Sequence, residues 1–234
     1  MKTVIKLIAA AGLVALGSCA SSNRGNTSRA RFLDQVWVSP AVRGKTLYEA
    51  YPKVYFAPVK VDRLKQQDWW TSQSARTQAD LAKDARHLAK YTGNALRSAA
   101  ANYPAKRVQV VNGPGPGTLV VDCAITELVP AKAFWNSATT AAGFVVPGAG
   151  LLGTFGKGSI AFEGRLRDGG TGKVLATFRT RKSDKMAVIN TAAYTWYRGS
   201  EGNIDELAQQ TARLLNTPKG TVVESGEPIT LISY

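Results

Sequence analysis

Apolar and polar positions change period several times along this chain, and each change marks an element. Lys53 to Val61 is rich in Val, Tyr and Phe and predicts a strand. Pro58 inside it asks for a sheet edge or a bulge, because proline has no amide hydrogen to give to a ladder. From Ala75 to Tyr103 the spacing turns helical: Leu81, Ala85, Leu88, Leu96, Ala99 and Tyr103 form one stripe, weakened at Gly93 and stopped at Pro104. Arg107 to Val111 predicts a short second strand. Strand, helix and strand make a crossover unit, right-handed if the two strands are parallel neighbours.

Gly113-Pro114-Gly115-Pro116-Gly117 turns the chain into a strand over Thr118 to Val129, where Leu119, Val121, Cys123 and Ile125 alternate onto one face. Ile160, Phe162, Gly164 and Leu166 alternate with Ala161, Glu163, Arg165 and Arg167, a half-buried strand. Asp168 to Gly172 closes a hairpin onto Val174 to Arg181, with Val174, Ala176 and Phe178 on one face. Ile204, Leu207, Ala208, Thr211, Leu214 and Leu215 predict a second amphipathic helix. Its expected cap is Asn203, Asp205 and Glu206 suit its first turn, and Thr217-Pro218 ends it. Trp69-Trp70 and Trp196-Tyr197 stand beside element ends; neighbours on a strand point opposite ways, which leaves one of each pair outside or under a loop, and the pairs serve as core anchors or else as partner contacts. The fold class is α/β (α+β), two-layer: a mixed, largely antiparallel sheet of about five strands backed by two amphipathic helices.

The first residues carry a different message. Lys2 and Lys6 precede an apolar run from Leu7 to Leu16, far shorter than the roughly twenty residues a membrane span needs. The run ends in Leu16-Gly17-Ser18-Cys19, which resembles the lipobox of bacterial lipoproteins. That resemblance implies a signal peptide over 1–18, lipid on the Cys19 sulfur and an acylated amine, which together give stable anchoring. Ala20-Ser21 lack the aspartate that resembles an inner-membrane retention mark, so the outer membrane is expected, with the protein facing the periplasm. Residues 19–33 are then a flexible tether, in which Arg24, Arg29 and Arg31 are either solvated or near lipid phosphate. Residues 34–218 form a single periplasmic domain, with an apolar Gly-rich insertion at 134–158, and 219–234 form a C-terminal strand or tail. With one cysteine given to lipid, Cys123 has no disulfide partner and reads as a small buried hydrophobe.

Charge narrows the partners. The chain holds 30 Lys and Arg against 16 Asp and Glu, a formal +14, and loss of Lys2 and Lys6 leaves +12. A basic field either attracts anions or only keeps the surface soluble. On a membrane-anchored protein such anions are lipid phosphates, an anionic envelope polymer or an acidic envelope protein, not nucleic acid.

Motifs for chemistry fail on inspection. Gly148 to Gly153 fits a dinucleotide pattern, yet Pro147 precedes it and Gly156 and Gly158 would break the helix that must follow. The Gly-Pro run offers too few amide hydrogens to cradle phosphate and is a rigid turn. His87 is the only histidine and falls on the polar side of the first helix, with no spaced partner for zinc or for a triad. Glu127 and Glu163 sit on separate strands, where carboxylates serve either acid–base work or sheet-surface ion pairs. No cofactor, metal or catalytic residue is expected.

The least ordinary stretch is Phe134 to Gly158, uncharged before Lys157. Trp135, Phe144, Val145, Val146, Leu151, Leu152 and Phe155 make it too apolar for a solvated loop. It either folds over the sheet or contacts a partner or the membrane. Tyr51-Pro52-Lys53-Val54-Tyr55, Pro58-Val59, Pro114 to Leu119, Ala124 to Glu127, Glu163 to Asp168 with Thr171-Gly172, and Trp196 together resemble a family of bacterial envelope lipoproteins known as domain of unknown function three-three-one-three. The element order is also similar to the N-terminal domain of TolB and to CsgG-like lipoproteins. These resemblances imply a two-layer fold and a protein-contacting role in the periplasm, and they imply no catalytic residue. The expected function is a non-catalytic binding or assembly component of the envelope. The alternative is a subunit of an oligomeric secretion or pore complex using 134–158, and an envelope hydrolase ranks last.

Overall fold

Alternation in the middle of the chain becomes three long strands, β4 (Thr118–Val129), β5 (Ser159–Asp168) and β6 (Val174–Ser183), each antiparallel to the next. The computed structural model of the protein describes residues 30–129, 159–183 and 198–224. Among them β1 (Gln35–Val38), α1 (Leu47–Ala50), β2 (Lys53–Phe56), α2 (Asp68–Thr71), α3 (Ala75–Ala101), β3 (Gln109–Val110) and α4 (Arg198–Asn216) complete the regular elements. The sheet has six strands in the order β1-β6-β5-β4-β2-β3. β2 runs parallel to both β3 and β4, so strand, α3 and strand form the expected crossover between parallel neighbours. The result is the two-layer, mixed α+β arrangement.

Several local readings change. The sixth strand is β1, four residues that carry no long alternation of their own and are held by β6. Ahead of it, Ala30 bridges Val223, and Phe32 is only 3% exposed, so the ordered body begins before Asp34. β2 lies inside the sheet, not at an edge. Pro58 ends it: Ala57 still donates to the Val121 carbonyl, and pairing resumes only where Lys60 donates to Cys123 at 3.0 Å. Trp69 and Trp70 sit on the helical turn α2 rather than on a strand, with ring centroids 5.6 Å apart; Trp70 enters the core. α4 starts at Arg198, so Asn203 is a buried interior residue instead of a cap. Asp205 and Glu206 accordingly lie past its first turn, and Asp205 accepts the Tyr91 hydroxyl from α3 at 2.9 Å.

Both long helices bury one stripe against the same face of the sheet. Ser74 caps α3 by accepting from the Thr77 amide, and Leu81, Ala85, Leu88, Leu96 and Ala99 point inward as the spacing predicts. Toward the start of α3 they meet Cys123, Ile125 and Phe162, with Ile204 and Leu207 from α4. Toward its end they meet Val54, Phe56, Leu119 and Val121, with Ala208 and Leu215. Each large apolar side chain buried this way contributes about 1.5–3 kcal/mol. Gly164 serves the packing too. A Cβ there would lie 2.3 Å from the Phe178 ring and 2.5 Å from the Asp122 carbonyl, so the ring covers the space a side chain would need. No described helix is long and apolar enough to cross a membrane.

Candidate functional site

The described helices all lie on one side of the sheet, and the other side carries charge. Residues two apart on a strand share a face, so the register assigns this side row by row. Asp122 on β4 faces Arg165 on β5, then Thr177 on β6, then Trp37 on β1. The next row runs Ala124, Glu163, Arg179, Gln35, and the one after holds Glu127, Ala161 and Arg181. A bulge after Ile125 returns Glu127 to this face.

Opposite charges placed across strands attract, and here they form three clusters, one around each carboxylate. Arg165 and Arg167 both reach Asp122, Arg165 through Nε at 3.2 Å and Arg167 through Nε and Nη2. Glu163 receives Arg179 at 3.6 Å and also Arg63, which leans in from the 3-10 turn Asp62–Gln66. Glu127 takes Arg181 at 2.6 Å. Five guanidiniums thus meet three carboxylates, an excess of two positive charges. The hydrogen bond from Arg167 comes first among the causes that hold the Asp122 carboxyl below its ordinary value, against the opposing effect of burial. Arg165, Arg179 and Arg181 are about half exposed, so each pair contributes only about 0–1 kcal/mol to stability. Trp37 is 48% exposed, the only large hydrophobic side chain so open among the described residues.

A shallow cleft lies at the end of the sheet where three turns converge. It measures about 400 Å³ and is lined by Lys45, Tyr51, Asp168 and Lys173 among others. Asp168 is committed there. Its Oδ1 accepts the amides of Gly170 and Thr171 and the Thr171 hydroxyl, and its Oδ2 accepts the Tyr51 hydroxyl at 3.1 Å. The Thr171 amide leads the bonds that lower the Asp168 carboxyl, and burial leads the causes that raise Tyr51. Gly169 donates to Thr118 at 2.8 Å, and a Cβ on it would lie 2.7 Å from the Gly115 carbonyl, so the Gly-Pro run packs as an interstrand turn. The cleft's carboxylate is structural.

The residues singled out in the sequence divide accordingly. Glu127 and Glu163 stand on the face opposite the described helices as ion-paired carboxylates. His87 is on α3, in the opposite layer, half exposed with Glu201 at 3.6 Å. Cys123 is buried, and burial pushes its thiol up to about 12. Among the described residues no group of three His, Cys, Asp or Glu could hold a metal. Cys19, Trp135, Phe144, Val145, Val146, Leu151, Leu152 and Phe155 lie outside the described residues, as do Gly148 to Gly153 and Trp196-Tyr197. Sequence reasoning missed Trp37 and the arginine pairs as a site. The signal was Arg165 with Arg167 and Arg179 with Arg181, two i,i+2 pairs on either side of a predicted hairpin turn.

Comparisons with known proteins support one part of the resemblance noted above, the family. A family model described as "Protein of unknown function (DUF3313)" matches residues 28–211. No curated protein matches the chain. Among solved structures, the PelC dodecamer from Paraburkholderia phytofirmans is similar with a TM-score of 0.40 and 11% identity, covering 78% of this chain and 96% of that one. A variant PelC dodecamer from the same organism is similar with a TM-score of 0.35 and 15% identity, covering 72% and 88%.

Proposed function

The chain belongs to the DUF3313 family of proteins of unknown function, and from that premise we propose that it is a non-catalytic binding component of the bacterial envelope, moored to the outer membrane by lipid on Cys19. The observation that carries the binding role is the face opposite the described helices, where among the described residues guanidiniums outnumber carboxylates in the ion pairs and Arg165, Arg179 and Arg181 stay half exposed. Here Asp122 is held ionised by Arg167 and Arg165, while Glu127 and Glu163 are each engaged by arginine. Such an arrangement orients donors toward a ligand and keeps its own carboxylates in fixed ion pairs.

The anchor rests on Leu16-Gly17-Ser18-Cys19 following a short apolar run. Mass spectrometry of the mature N-terminus, with membrane fractionation of a Cys19→Ala variant, tests it. The expected result is an acylated Cys19 peptide and release of the variant from the outer-membrane fraction. An unmodified N-terminal peptide, or a variant that stays in that fraction, would contradict the reading.

A further inference from the structure

The face opposite the described helices has a centre. Around exposed Thr177 stand Trp37, its partner on β1, Arg165, its partner on β5, and Arg179, two residues along β6. Adjacent strands lie about 4.8 Å apart, so these three side chains surround a patch the width of one or two sugar rings. Among the described residues Arg165 bonds only through Nε to Asp122, with both terminal amines unspent there, and Arg179 lies 3.6 Å from Glu163, beyond hydrogen-bond distance. Two guanidinium forks with donors to spare match carboxylates bidentately. An exposed indole beside them offers a flat apolar surface for a sugar ring.

From this we infer that the Trp37–Thr177–Arg165–Arg179 patch binds a carboxylated polysaccharide. The inference deepens the function proposed above and rests on it for the compartment. An acidic protein fits less well, because a stable protein interface needs an apolar centre and, among the described residues, this face offers Trp37 alone as a large exposed hydrophobic. A lipid surface would use the charges but gives the indole no ring to stack on.

The test uses the purified full chain in mild detergent, with polygalacturonate as probe and calorimetric titration as readout. The expected result is saturable binding that weakens with salt, with no binding to neutral dextran. In the double variant Arg165→Ala with Arg179→Ala, Asp122 keeps Arg167 and Glu163 keeps Arg63, so no carboxylate is orphaned. It should bind at least about tenfold more weakly, and Trp37→Ala should weaken binding by a similar factor. Lys83→Ala with Arg86→Ala removes the same charge from the helical layer and should leave affinity unchanged. Equal losses in both double variants, equal binding to dextran, or binding only to phosphatidylglycerol vesicles would overturn the site. The anchor fails separately: an unlipidated protein that still binds polygalacturonate in this pattern supports the patch, and a lipidated one that does not overturns it.

Discussion

The two faces of this sheet are built from the same strands and do opposite things with arginine-free and arginine-rich positions. On β5, Phe162 and Gly164 face α3 and α4 or the ring of Phe178, while Glu163 and Arg165 face away. A shift of one residue in register would exchange the two sets, so the fold fixes the charged face as firmly as it fixes the core. The covered face gains its stability from burial of apolar area. The open face contributes little to stability, since its ion pairs are solvated, and that leaves its side chains available for recognition.

The largest effect should come from the covered face. Phe162 is fully buried between the sheet and the helices, and Phe162→Ala should cost about 3–5 kcal/mol in denaturant unfolding. A loss below about 1 kcal/mol would mean that this side of β5 is not the core. Cys123 gives a kinetic version of the same comparison. Burial raises its thiol to about 12, so alkylation by iodoacetamide at neutral pH should proceed only through unfolding, slower by orders of magnitude than in the denatured chain. Rapid labelling of the native protein would place Cys123 outside the core.

Smaller effects belong to the open face. Asp122 has its folded value depressed, chiefly by Arg167, so the unfolded chain takes up the proton first as pH falls. Its contribution, on the order of 1 kcal/mol, is present above the ordinary carboxyl value of 3.8 and disappears as pH drops through the lower folded one. The stability gap between the parent and Asp122→Asn should therefore close in that acid window. A gap that stays constant down to acid unfolding would remove the ion pairs as its origin. Arg165→Ala with Arg179→Ala should have the smallest effect of all on stability.

Most of the architecture was legible because its elements are long and periodic. α3 and β4 declare themselves through the stripe from Leu81 to Ala99 and the alternation from Leu119 to Ile125. Short elements held by tertiary contacts were not. β1 depends on pairing with β6, α2 is a single turn, and the start of α4 precedes its apolar stripe. Glycines and prolines were informative where they break a ladder or permit close approach, as Pro58 and Gly169 do. Of the site, Glu127 and Glu163 were visible as candidates, but their partners were not. Arg63, Arg179 and Arg181 come from other elements, and only the register of β4, β5 and β6 reveals which charges meet.

Thermal unfolding and polygalacturonate titration on the same Arg165→Ala, Arg179→Ala protein test the division between the faces most directly. Since two pairs at about 0–1 kcal/mol each are removed and 1 kcal/mol corresponds to about 2–4 °C at this chain length, the account predicts a midpoint lowered by less than about 8 °C together with binding reduced at least about tenfold. A midpoint lowered by about 8 °C or more with polymer binding intact would contradict it, making the arginines part of the scaffold rather than the binding surface.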